Sequence, residues 1–129
     1  MSRKAQVISG NGRNTWATAD LRHNQGVADA VADTDAIVHC ATAYGRRSET
    51  QSTDSLLKAA QHADTPHLVY ISIIGVDSVP LGYYQDKLAT ERLIAQSDLP
   101  YTILRATQFH DLLRALLAKA AKTPLIPVP

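Results

Sequence analysis

Cysteine is almost missing from this chain of 129 residues: Cys40 stands alone, so no internal disulfide can form. Charge of one sign is missing too. Thirteen Lys and Arg stand against 12 Asp and Glu, for a formal net charge of +1. Nothing in that balance draws a polyanion, so nucleic acid and anionic membrane surfaces are not expected partners. No apolar run approaches the ~20 residues that a membrane span needs. The opening "MSRKAQVISG" has basic residues but no apolar region behind them, so a secretory signal is not expected, and a reducing cytoplasm is the expected compartment. Internal repeats and low-complexity tracts are lacking, and nothing reads as a linker before the Pro-rich "TPLIPVP". What remains is 45% hydrophobic and 19% charged, the composition of one domain with a core of its own.

Strand and helix patterns take turns along that domain. Runs rich in β-branched and apolar residues occur at 36–41 ("AIVHCA"), 67–74 ("HLVYISII") and 101–107 ("YTILRAT"). Each is too continuous for a half-exposed strand and reads as a buried parallel one. Helical spacing links Val27, Ala28 and Val31; then Thr53, Leu56, Leu57 and Ala60; then Leu88, Ala89, Leu93 and Ala95; and last Leu112, Leu113, Leu116, Leu117 and Ala120. Pro66 and Pro100 fall where helices end and strands begin. The alternation predicts right-handed βαβ units and an α/β fold with a parallel sheet covered on both faces.

A dinucleotide-binding turn needs Gly-x-Gly-x-x-Gly between a strand and a helix, whose N-terminus then receives the pyrophosphate. "VISGNGRNT" offers Gly10 and Gly12 but has Thr15 in the third place, and "WATADL" follows without helical period. It reads as a turn rich in Gly and Asn.

From residue 15 to about 120 the chain nevertheless resembles an atypical short-chain dehydrogenase/reductase of the NmrA-like, NAD(P)-binding kind. The likeness runs through "TADLRHNQGVADAVADTDAIVHCAT", "HLVYISIIGVD", "GYYQDKLATERLI" and "LPYTILRATQFHDLL". It implies a Rossmann-like three-layer sheet. In that family a first strand, glycine loop and first helix precede the position matched by Met1. The resemblance therefore implies that residues 1–129 are a partial NAD(P)-binding domain, short of its first βαβ unit by roughly 35 residues. The strand at 36–41 would then lie at an open sheet edge, through which the chain is expected to self-associate.

The resemblance also assigns roles. Asp20 would accept a hydrogen bond from the adenine amine, with the Leu21 backbone beside it; an N-cap for the helix near 25–32 is the simpler role for Asp20. Ala41 and Thr42 end the first strand at the sheet edge where open α/β folds bind ligands. His39 and Cys40, adjacent in a strand, point to opposite faces and suit core filling better than joint metal ligation. Ser72 takes the place of the family's catalytic serine. Tyr83 and Lys87 have the Tyr-x-x-x-Lys spacing, which puts a phenol and an ammonium on one helix face. A cation near a phenol stabilises the phenolate left behind and so makes the phenol acidic enough to protonate a carbonyl near neutral pH; Tyr84 is the neighbouring alternative. Lys87 would also orient the cofactor ribose. Thr107, Gln108 and Phe109 would border the nicotinamide and substrate pocket, although Phe109 could equally be core and Gln108 a helix-start residue. Arg3 follows the second strand, where an arginine can meet the 2′-phosphate of NADP.

These roles imply an NADP- or NAD-dependent oxidoreductase, with Tyr83 as proton donor, Ser72 holding the carbonyl of a small carbonyl or quinone substrate and hydride moving from the cofactor. A non-catalytic NAD(P)-sensing regulator of the NmrA type is the alternative, as is an inactive gene fragment.

Overall fold

The computed structural model describes residues 15–42 and 47–107, together with residues 114 and 118. In chain order the elements are α1 (Val27–Val31), β1 (Ala36–His39), α2 (Ser48–His62), β2 (His67–Ile73), α3 (Gly82–Ala95) and β3 (Tyr101–Ala106). The strands form one parallel sheet in the order β1-β2-β3, with Ala36 opposite His67 and Leu68 opposite Tyr101. The alternation seen in the sequence is thus an α/β, Rossmann-like arrangement. The turn at Gly10 and Gly12 and the leucine stripe from Leu112 lie outside the described residues.

A short backbone bridge between Asp20 and Gln25 leads the chain into α1. Gly26 closes that turn at φ 67°, and a Cβ there would lie 2.5 Å from the Thr18 carbonyl oxygen. Only glycine fits this combination of left-handed backbone and close approach.

One face of the sheet carries Ile37, His39, Leu68, Tyr70, Ser72 and Ile103, as the register requires. Against Leu68 and Tyr70 pack Val27 and Val31 of α1, Leu56, Leu57 and Ala60 of α2 and Ile94 of α3, forming the main core. The other face carries Val38 and Leu104, which are 63% and 54% exposed. The expectation that every strand is buried on both faces therefore fails for β1 and β3. They flank the central strand, and the main core, which α1, α2 and Ile94 of α3 build, lies on the opposite face.

The helices differ in how well hydrophobicity marks their inner faces. In α2 the expected Thr53, Leu56, Leu57 and Ala60 are all buried. In α3 the expected Leu88 and Leu93 are only half-buried, and Ala89 and Ala95 are exposed. The face turned inward holds Tyr84, Lys87, Thr90, Glu91 and Ile94 instead. It is displaced because its two charged groups find partners inside the fold.

Candidate functional site

Parallel strands end together, so Cys40 to Thr42, Ser72 to Ile74 and Thr107 share the carboxyl edge of the sheet. Thr42 is half-buried there, while Ala41 and Thr107 are exposed. A cavity of about 300 Å³ joins Leu21 to Ala41 along β1, with Ile37, His39 and Leu56 also in its wall.

Beneath this edge lies a buried cluster built from three elements. The Lys87 ammonium reaches back from α3 and donates to the Ile71 carbonyl oxygen at 3.2 Å, one residue before Ser72. It also pairs with Glu49 Oε1 at 2.6 Å, both side chains being 1% exposed. The Tyr70 hydroxyl donates to the same oxygen at 2.5 Å. Burial, reinforced by the Glu49 carboxylate, raises the Tyr70 phenol far above its usual range, so it remains a donor at any ordinary pH. Lys87 Nζ lies 4.9 Å from the centroid of the Tyr70 ring and 5.9 Å from that of Tyr83, both within cation–π range. Ser72, Tyr83 and Lys87 are thereby gathered at the end of β2. The Ser72 hydroxyl is buried without a hydrogen-bond partner among the described residues, as is Glu49 Oε2. A buried hydroxyl left this way is a place for a ligand or water to bind.

Two supporting arrangements flank the cluster. On the β1 side, His39 is buried, shares a 3.0 Å hydrogen bond with Thr53 and lies 5.5 Å, ring to ring, from Tyr70. Burial, together with the nearby Lys87 charge, lowers the imidazole to about 4, so it is neutral near pH 7. On the β3 side, Arg105 makes a two-pronged contact with Glu91, at 3.1 and 2.8 Å, and reaches Asp77 at 3.5 Å. Burial is the largest single influence and pushes the Glu91 carboxyl up, but the Arg105 hydrogen bonds, the Ser72 hydroxyl and the Arg105 charge together outweigh it, and the group ends below its ordinary value. The Ser72 hydroxyl stands close enough to the Glu91 carboxylate to assist that lowering.

Several expectations change in detail. Asp20 does not cap α1, whose N-cap is Gly26; its carboxylate instead accepts hydrogen bonds from the Arg22 and His23 amides and contacts His23 Nδ1 at 2.8 Å. The His23 contacts lower the Asp20 carboxyl and keep it an acceptor. Cys40 is exposed, not core, because it follows the last paired residue of an outer strand. Tyr84 is a core residue, buried with Ile73 and Val76 and meeting the Tyr83 ring edge-on at 5.8 Å. Arg3, Gln108 and Phe109 lie outside the described residues.

Glu49 and Tyr70 were not marked by sequence reasoning. One signal was there. Glu49, Thr53, Leu56 and Ala60 recur at helical spacing, so a carboxylate at the head of that stripe had to face inward.

Residues 1–116 match a family model described as NAD(P)H-binding. No curated protein matches the chain in sequence. Among solved structures, a nucleoside-diphosphate-sugar epimerase from Staphylococcus aureus superposes with a TM-score of 0.75 at 17% identity, over 92% of this chain and 44% of that one. The triphenylmethane reductase of Citrobacter sp., complexed with NADP(H), gives 0.66 at 21% identity, over 80% and 38%. An NADPH-dependent quinone oxidoreductase of Escherichia coli, complexed with NADPH, gives 0.66 at 21% identity, over 81% and 36%. The chain thus spans less than half the length of each of these three structures, and at such identities the likeness concerns the fold.

Proposed function

The chain belongs to the NAD(P)H-binding family, and from that premise we propose that it is the NAD(P)-binding domain of a short-chain-type oxidoreductase, an NADPH-dependent reductase of a small carbonyl or quinone. The observation that carries this is the orphaned, buried Ser72 hydroxyl at the end of β2, with Lys87 hydrogen-bonded one residue away and the Tyr83 ring beside the ammonium. Small residues at Ala41 and Thr42 leave room for a dinucleotide at the carboxyl edge, and the Asp20 carboxylate suits an adenine amine. These residues fit the cofactor at its adenosine end and its reacting end. When bound, the reduced nicotinamide would supply a hydride.

This chain's own groups would do the rest. Ser72 would donate a hydrogen bond to the substrate oxygen, and Tyr83 would deliver the proton that the oxygen takes up. Lys87 would act on that phenol through its charge, and Thr107 would border the pocket. Two groups of the relatives, the triphenylmethane reductase and the quinone oxidoreductase, are named for reductions. In addition, Lys87 is 1% exposed and engaged by Glu49, which favours a second possibility, a non-catalytic NAD(P)-sensing module.

Titrating the chain with NADPH and then following its oxidation across a panel of quinones and carbonyls separates these possibilities. Tyr83→Phe is expected to lower turnover by ~100-fold or more while leaving cofactor affinity unchanged. Tight binding without turnover on any substrate would transfer support to the sensing module. Failure to bind NADPH or NADH would overturn both.

A further inference from the structure

We propose that Glu49 is the positioning residue of this site, holding Lys87 through a carboxylate braced by Tyr70 so that the ammonium faces Tyr83 below the end of β2. The kinetic consequences rest on the reductase function above; the placement of Lys87 does not.

Three elements converge on one atom. Glu49 Oε1 receives the ammonium from α3 and the hydroxyl from β2, and Glu49 itself comes from the first turn of α2. A lysine side chain is long and rotatable, and a buried ammonium with no counter-charge either loses its proton or leaves for solvent. Here the carboxylate prevents both. The Ile71 carbonyl takes a second N–H and fixes the ammonium's height along the strand, next to Ser72. The Tyr70 hydroxyl, in turn, keeps Oε1 from rotating away. Glu49 Oε1 is already taken up by the ammonium and the Tyr70 hydroxyl, so Glu49 works through Lys87.

The ionisable groups around the ammonium are few among the described residues. Glu49 approaches from α2, Tyr70 from β2 and Tyr83 from α3, while His39 on β1 acts at longer range and is neutral near pH 7. Of these, only Glu49 pairs with the ammonium in a salt bridge. Removing that partner should therefore be felt first as a change in where the Lys87 ammonium sits.

The test uses the 129-residue chain with carbon-13-labelled lysines, the Lys87 Cε resonance being identified by its loss in Lys87→Met. In Glu49→Gln the Lys87 Cε resonance is expected to move toward those of the solvent-exposed lysines, because the ammonium is no longer held against the Tyr70 and Tyr83 rings. A Lys87 resonance unchanged from the parent's would overturn the proposal. Should Glu49→Gln fail to fold, the double variant Glu49→Gln/Lys87→Met is expected to fold again, because the unpaired ammonium has gone; a double variant as unfolded as the single one would overturn it equally. Where the parent reduces a substrate, Glu49→Gln should lower kcat by about 10- to 100-fold and shift its pH profile with KM little changed, and Glu49→Asp should recover most of the loss. Undiminished kcat in Glu49→Gln would refute the positioning role. A parent that reduces nothing would instead count against the reductase function, leaving the Lys87 resonance to decide on Glu49.

Discussion

Acidification from pH 7 to 5 should weaken this fold through one side chain, His39. In the folded chain its imidazole titrates at about 4, against 6.5 as the ordinary value, because burial disfavours the cation and the Lys87 charge repels it. The unfolded chain therefore binds the proton more readily. His39 accordingly contributes its full share of stability above about pH 6.5, and that share is lost as pH falls toward 4. At ~1.4 kcal/mol per pH unit the gap sets a ceiling of about 3 kcal/mol, of which about 2 kcal/mol is lost between pH 7 and 5. Asp20 and Glu91, both held below their ordinary values, lose their contributions at lower pH, so they do not confuse this window. Urea denaturation at the two pH values, in the parent and in His39→Gln, measures the effect. Glutamine can still hydrogen-bond to Thr53 but does not titrate. The parent should lose about 2 kcal/mol more than the variant over that interval. Equal losses would refute the assignment of a buried, neutral imidazole to His39.

Two further substitutions probe the fold. Gly26→Ala places a methyl group 2.5 Å from the Thr18 carbonyl at φ 67°, and should cost roughly 1–3 kcal/mol of unfolding free energy; an unaltered urea midpoint would show that the turn before α1 is not constrained in this way. Tyr70→Phe removes the second donor to Glu49 and should cost about 1.5–3 kcal/mol by the same assay, since hydrogen bonds to charged groups are the stronger ones. A stability equal to the parent's would mean that the phenol does not brace the carboxylate.

Hydrophobic spacing made the central strand and α2 legible because both bury apolar side chains in the period of their element: Leu68 and Tyr70 on alternate residues, Thr53, Leu56, Leu57 and Ala60 on a helical stripe. In α3 the same criterion selected Leu88, Ala89, Leu93 and Ala95, about one position away from the face that is buried. The error is physical. A pattern search scores Lys87 and Glu91 as outward, whereas each is carried inward by a partner far away in sequence, Glu49 or Arg105. The Tyr-x-x-x-Lys spacing located Tyr83 and Lys87 on one helix, but it carries no information about an acidic residue 38 positions before the lysine. Nor could it show that Tyr84 packs in a core with Ile73 and Val76.

The same partners explain how polarity is distributed within the fold. At the amino end of the sheet, the core is Leu56, Leu57, Ala60, Leu68, Ile94 and Leu99, with no charge among them. Toward the carboxyl end, the beginnings of α2 and α3 contribute Glu49 and Lys87, and β2 contributes Tyr70 and Ser72. Buried ion pairs are poor stabilisers, because well-packed hydrophobic residues of similar volume usually do as well, while removing one partner alone costs about 3–5 kcal/mol. Apolar side chains would therefore have served this interior at least as well if cohesion were all that it required. The charge is instead confined to the carboxyl end of the sheet, where Lys87 bonds the carbonyl one residue before Ser72, the one buried serine whose hydroxyl lacks a partner among the described residues. Cohesion thus falls to the amino end of the sheet, and the polar carboxyl end is left to place Lys87 beside Tyr83 and Ser72.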